Sequence, residues 1–337
     1  MKVTMMEIFN ITPGLIYIFG GLIAFFLRGY LHKSLVLIIP ILAFFKLITL
    51  TSSDVLTVNF LMSDLNFLRV DKLSLVFGYV FVISSFFGFL YGITTAKKHE
   101  YTSALIYIGS ALSVVFARDL ITLYIFWELM ALSSVILILL RGNLSSRKSA
   151  SRYLIVHIVG GLVLLAGILL HIQQTGTTSF SSFTVQNLST WLMLIGVLVN
   201  AAAIPFSSWL PDSYPESTVM GGVILSAYTS KTAVYALLRG FAGWDILIWI
   251  GLGMAVYGII YALMENDIRR ILSYSIVNQV GFMVCAAGIG TPLAIAGASA
   301  HAFCHIVYKS VLMMSAGAVI ERTGKTKCTE LGGLYQT

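Results

Sequence analysis

A chain of 337 residues with 58% hydrophobic and only 10% charged side chains, at a mean hydropathy of +0.91, is too apolar for a water-soluble globule of this length. Its net charge of +7 does not indicate a nucleic-acid binder, because Lys and Arg lie between apolar runs rather than on one basic face. Apolar runs able to cross a ~30 Å hydrocarbon core recur from Thr12 to Ile320, which predicts an all-α polytopic membrane protein.

Eleven spans are expected, near 11–27, 34–51, 73–94, 102–117, 120–140, 153–172, 190–207, 218–238, 246–264, 270–289 and 294–319. The first follows a weakly charged start (Lys2, Glu7) and ends at Arg28 without a small-residue cleavage pattern, so it reads as a retained span rather than a signal peptide. Between the second and third, VNFLMSDLNFLRVDKLSL alternates apolar and polar residues, which suits a short hairpin outside the membrane. The break RGNLSSRKSASR holds four cations (Arg141, Arg147, Lys148, Arg152) and no acid, and is the best cytoplasmic marker. The uncharged break 173–190 should face outward.

Cations fall mainly in alternate breaks: Arg28, Lys33, Lys97, Lys98, the 141–152 group, Arg269, Arg270, Arg322, Lys325 and Lys327, against Lys2, Arg69, Lys72, Arg118 and Arg239. The positive-inside rule then sets the N-terminus outside and the end of this chain in the cytoplasm. After the seventh span, IPFSSWLPDSYPEST carries Pro205, Pro211 and Pro215, so the helix is broken or ended there.

Inside the expected spans the ionisable residues are Lys46, Glu128, Lys231, Lys309, His157, His171, His301 and His305. A charge at mid-bilayer costs roughly 2.5–3.5 kcal/mol on insertion scales, so each is a functional candidate unless it reaches a span end. Lys46, His157 and His171 are read as lying near such ends, where a side chain reaches the headgroups. Glu128 lies mid-span with no other charge in its run, so it must be neutral, paired or solvated. Lys231 has polar neighbours at Ser226, Tyr228, Thr229 and Ser230, which suits a lysine that gives up and recovers a proton.

His301, His305 and Lys309 stand four apart, on one helix face with ~6 Å of rise per step. Three ionisable groups in line suit proton relay, although interhelical hydrogen bonding alone is the structural alternative. A metal pair at His301 and His305 is not favoured: no acid or thiolate completes a set, and the glutamate of an HExxH motif is absent. Cys285, Cys304 and Cys328 form neither a disulfide framework nor a CxxC pair. With no Gly-rich nucleotide loop or cluster motif either, neither a cofactor nor a metal site is expected.

The strings FWELMALSS, PFSSWLPDSYPEST, SKTAVYALLRG, NDIRRILSYSIVNQVGFM, HAFCHIVYKSVLMMSAGAVI and TKCTELGGLY, covering roughly Arg118 to Gln336, make the chain resemble the antiporter-like membrane subunits. These are the large subunits of Mrp-type multisubunit sodium/proton antiporters, the D type above all, and the homologous proton-pumping subunits of respiratory complex I and membrane-bound hydrogenases. The resemblance implies two inverted five-helix repeats, each with a broken helix, and protons running along a polar axis at mid-membrane. On that pattern residues 1–100 are N-terminal helices with an external hairpin, 101–240 a first repeat forming a half-channel, and 241–337 the start of a second repeat that is truncated here.

Carried over by motif, Glu128 matches the glutamate of the fifth helix, Lys231 the lysine or histidine of the eighth, and His301, His305 and Lys309 the polar face of a later helix. The lysine of the family's seventh helix falls on Asn200, so Glu128 is expected to reach Lys231 directly or through water. About three helices of the family pattern are missing, so the chain reads as a fragment, or its remainder lies on another chain. The expected function is that of a proton-conducting subunit of a cation/proton antiporter, with other membrane subunits as partners, protons and sodium as ions, and a prokaryotic cell membrane as location. The alternative is the same channel in a complex I-like NADH:quinone oxidoreductase or a hydrogenase, with redox chemistry on other chains.

Overall fold

The computed structural model describes residues 12–52, 56–60 and 63–333. Lys2 and Glu7, which bear on the outward N-terminus, and the last four residues lie outside the described part.

Helix α1 spans Pro13–Phe26 and α2 Gly29–Thr49. The antiparallel pair β1 (Thr57–Phe60) and β2 (Ser63–Asn66) follows, in register Thr57 to Asn66, as the alternating pattern suggested. Next come α3 (Lys72–Tyr91), α4 (Lys98–Phe116), α5 (Leu120–Leu139), α6 (Leu144–Thr175), α7 (Leu188–Asn200) and the short α8 (Trp209–Ser213) with a 3-10 turn at Tyr214–Glu216. The rest comprises α9 (Val219–Ala227), α10 (Thr229–Gly240), α11 (Ile246–Met264), α12 (Ile268–Ile289), α13 (Pro292–Thr323) and a 3-10 turn at Cys328–Glu330.

Local chemistry sets these boundaries. Side-chain oxygens of Asp71, Asp119, Asn143, Asn187, Thr218 and Thr291 accept from backbone N–H groups in the first turns of α3, α5, α6, α7, α9 and α13, where the helix itself offers no acceptor. Glycines in the left-handed region stop α6, α12 and α13 at Gly176, Gly290 and Gly324.

Among the described residues seven helices are long and apolar enough to cross a membrane: α2, α3, α5, α6, α11, α12 and α13. The other four expected spans fall on α1, α4, α7 and the α9–α10 pair. Helices α4 and α10 are buried on nearly every side, so they need no lipid-facing stripe and carry Tyr, Thr, Ser and Lys instead. The lipid-compatible surface lies on outer helices, through residues such as Phe26, Leu162, Trp249 and Leu263. Close approach between helices rests on glycine. A Cβ on Gly14 would meet the Gly109 carbonyl oxygen at 2.5 Å, and one on Gly251 the Gly281 carbonyl oxygen at 2.5 Å, which fixes the α1–α4 and α11–α12 seams.

Two of the expected spans are interrupted. As the prolines predicted, α7 stops at Asn200 and helix resumes only at Trp209, whose indole N–H donates to the Val199 carbonyl across the gap at 2.9 Å. The expected single span 218–238 is also divided, at Tyr228, whose backbone (φ −109°, ψ −67°) departs from helix.

Candidate functional site

The break at Tyr228 sets Lys231. Thr229, the first residue of α10, donates its N–H to the Tyr107 hydroxyl at 2.9 Å, and Lys231 Nζ donates to the Ser226 carbonyl at 2.5 Å. The lysine side chain is wholly buried. On α13, Lys309 is also buried and donates to Ser275 Oγ of α12 at 2.9 Å. Among the described residues neither lysine has an acid within ion-pair distance.

His305, one turn before Lys309, is buried with both ring nitrogens lacking a partner among the described residues. It lies within electrostatic range of Lys231, Lys309 and His301, and Lys231 lies within that of Lys309. His301 lies a further turn away, half-buried, its ring parallel to that of His305 at 6.1 Å. The α13 ladder expected from four-residue spacing is thus brought against Lys231 of α10. Two charged imidazoles ~6 Å apart would repel by about 3 kcal/mol at an effective dielectric of ~20, so the stacked pair favours one proton at a time.

Glu128 stands apart from this row. It is half-buried on α5, its Oε1 is buried without a hydrogen-bond partner among the described residues, and its carboxyl rests on the backbone of α6, where a Cβ on Gly161 would collide with Oε1. The charge acts on Tyr124, one turn earlier. No ion pair joins Glu128 to Lys231 among the described residues, so the direct contact allowed from sequence is not made. Asn200 ends α7 buried, with both side-chain amide atoms unpartnered among the described residues.

Of the three residues read as lying near span ends, Lys46 is in the last turn of α2 and His171 near the end of α6. His157 is not: α6 begins at Leu144 rather than 153, which puts His157 deep in the protein. Its ring stacks on Tyr153 at 3.9 Å and meets Trp209 edge-on at 4.5 Å. Around it gather buried hydroxyls, of which the sequence singled out only Thr229. Tyr107 bonds Thr229 Oγ1 at 2.7 Å, Tyr153 bonds Ser134 at 2.9 Å, and the Tyr214 hydroxyl is buried without a hydrogen bond of good geometry among the described residues.

At the membrane ends charges are paired or held by several hydrogen bonds. Asp71 accepts from Arg239 at 2.8 Å and lies 3.3 Å from Arg69, while Arg239 also donates to Tyr235 at 2.6 Å. Burial alone would raise the Asp71 carboxyl, but hydrogen bonds from Arg239 and the Ser74 N–H, with the Arg239 and Arg69 charges, hold it below the usual range. At the other end Arg269 is buried and donates to Pro215 O, Ser217 O, Ser217 Oγ and Thr218 O at 2.9–3.0 Å, and Arg141 pairs with Glu216 at 2.9 Å.

Comparison with known proteins gives a consistent pattern. The family model described as NADH:quinone oxidoreductase/Mrp antiporter, TM, matches residues 117–337. A Na(+)/H(+) antiporter subunit of the D type, from Alkalihalophilus pseudofirmus, is 29% identical over 277 residues, covering 76% of this chain and 56% of the relative. The chain spans about half the length of the curated relatives it matches. A chain of the archaeal membrane-bound sulfane sulfur reductase, a respiratory membrane complex, superposes with a TM-score of 0.86 at 25% identity, over 96% of this chain and 58% of that one. One from the Mrp complex of Dietzia sp. DQ12-45-1b gives 0.85 at 26% identity, over 99% and 39%. With its apolar helices of spanning length, the chain is an integral membrane protein.

Proposed function

We infer, from the premise that this chain belongs to the NADH:quinone oxidoreductase/Mrp antiporter transmembrane family, that it is a proton-conducting subunit of a cation/proton antiporter complex. The observation that carries this reading is the row Lys231, His305, Lys309, buried among membrane helices with neutral oxygens as its hydrogen-bond acceptors among the described residues. Ionisable groups kept for structure in a membrane are paired or held by several hydrogen bonds, because a poorly compensated buried charge is costly and helix packing does not require it. Groups that must alternately hold and release a proton are better left without a fixed counter-charge.

Protons pass between the Lys231 amine and the Lys309 amine by way of the His305 imidazole. An imidazole accepts at one nitrogen and donates from the other, so His305 with both nitrogens unpaired suits the middle position. His301 extends the row by one turn, and mutual repulsion along it makes each arriving proton displace the one ahead. Glu128 lies at the edge of the first half, against α6, and reaches the row only through water. Residues 101–240 form that first half-channel. The cationic 141–152 segment faces the cytoplasm, the N-terminus lies outside, and the remaining antiporter subunits surround the chain in a prokaryotic cell membrane, exchanging protons for sodium.

The second reading keeps the same conduction but drives it by redox chemistry on neighbouring chains, and is favoured by the likeness to the sulfane sulfur reductase complex. The test is proton flux in proteoliposomes holding the whole complex, with and without sodium. Lys231→Ala should abolish flux, a loss of about 100-fold or more, with assembly intact. Wild-type exchange by that variant would sink the proposal, and flux indifferent to sodium would favour the redox-driven reading.

A further inference from the structure

The proton row ends at Lys231, and buried groups outside that row lead from it toward the interrupted segment after α7. Thr229 stands at the helix break, two residues before Lys231. Its hydroxyl bonds Tyr107 at 2.7 Å, and the hydroxyls of Tyr153 and Tyr214 are its other electrostatic neighbours. Tyr107, Tyr153 and Tyr214 come from α4, α6 and the 3-10 turn after α8, so three separate elements direct phenol groups at one threonine. All four side chains are buried. Trp209 and His157 wall the cluster, and the Tyr214 ring contacts Trp209 at 5.8 Å.

Tyr214 is the telling member. Its backbone sits beside Pro215 and Glu216, which Arg141 and Arg269 anchor at the membrane end, while its buried hydroxyl has Thr229 as a neighbour but makes no hydrogen bond of good geometry among the described residues. Packing alone would favour phenylalanine here, since an unpaired buried hydroxyl is a net cost. The hydroxyls of Ser230 and Thr232, on either side of Lys231, are likewise buried and unpartnered.

We propose that Tyr214 and Thr229, held in place by Tyr107 and Tyr153, form a hydroxyl path that carries protons between the segment 209–218 and Lys231. The path rests on the proton-conducting reading of Lys231. In each step a hydroxyl oxygen takes up a proton from the preceding group and gives its own to the next, so O–H bonds broken and formed balance and no charge is left behind. From Thr229 the proton crosses water held by the Ser230 and Thr232 hydroxyls and ends as an N–H bond on the Lys231 amine. Tyr153, tied to Ser134 at 2.9 Å and stacked on His157, holds its phenol toward Thr229 as a positioning group.

The deciding experiment compares Tyr214→Phe, Thr229→Val, Thr229→Ser and Lys231→Ala in the whole complex in proteoliposomes, reading proton flux per assembled complex and thermal midpoint. A path predicts that Tyr214→Phe lowers flux about tenfold with the midpoint little changed, because no well-formed hydrogen bond to the described residues is lost. It also predicts that Thr229→Ser recovers flux lost in Thr229→Val. Wild-type flux in Tyr214→Phe, or a loss that only tracks lost assembly, overturns the path, and Tyr214→Phe decides even if Thr229→Val does not assemble. If Lys231→Ala loses flux while Tyr214→Phe keeps it, the path fails and the conducting reading stands. If Lys231→Ala keeps its flux, both fail.

Discussion

Charges at the ends of the helices and charges at their middle are treated in opposite ways. At the ends, Arg239 is matched to Asp71 and Tyr235, and Arg269 to four oxygens of the 215–218 turn. In the middle, Lys231 and Lys309 each bond one neutral oxygen, and His305 bonds nothing among the described residues. Both sets are buried, so desolvation does not separate them. The difference is how firmly the charge is held, by an acid or by several oxygens at the ends and by at most one neutral oxygen in the middle, and on the proposed reading that divides groups that hold the fold from groups that exchange protons.

Breaking the paired set should cost stability rather than conduction. Arg269→Met leaves the Pro215, Ser217 and Thr218 acceptors unpaired, and should destabilise the chain by about 3 kcal/mol, read as a lowered thermal midpoint in detergent. Flux should fall only in proportion to the complex that assembles. A smaller and more selective effect is expected where Glu128 rests on α6. Gly161→Ala would drive a methyl into Oε1 and displace the carboxyl, lowering flux several-fold, whereas Gly297→Ala, with nothing within 4 Å of its Cβ, should leave it unchanged. Equal flux in the two variants would remove Glu128 from the conducting path.

The smallest effect concerns pH. The Asp71 carboxyl lies below its unfolded range, so it stabilises the fold fully above that range, and the contribution is lost as pH falls through its lowered folded value. The side chain is 35% exposed, so after solvent screening the contribution is below about 1 kcal/mol. Asp71→Asn should flatten the acid side of a thermal-midpoint profile by that amount. A profile identical to wild type would show that the Arg69–Asp71–Arg239 cluster is energetically idle.

Much of the architecture was legible because lipid as a solvent leaves one solution for a long apolar run. The α13 ladder was legible for a similar reason, since four-residue spacing on a helix puts side chains on one face whatever surrounds them. The break at Tyr228 was not, because SAYTSK contains no proline or glycine, and the interruption depends on partners distant in sequence, Tyr107 above all. His157 was misplaced because Arg147, Lys148 and Arg152 look like a loop, whereas they ride on the first turns of α6, capped by Asn143. The lack of a direct Glu128–Lys231 contact followed from how α5 and α6 pack, which no local pattern encodes.

If the mid-membrane lysines work because no acid fixes them, the most direct test is to supply one. Ser275 Oγ lies 2.9 Å from Lys309 Nζ, so Ser275→Asp places a carboxylate against the amine without removing any titratable group of the row. The measurement is proton flux per assembled complex in proteoliposomes, alongside the thermal midpoint. The expected result is a midpoint equal to or above wild type and a flux reduced about tenfold or more, the lysine being held protonated by its new partner. Wild-type flux through a chain whose Lys309 is demonstrably ion-paired would contradict it.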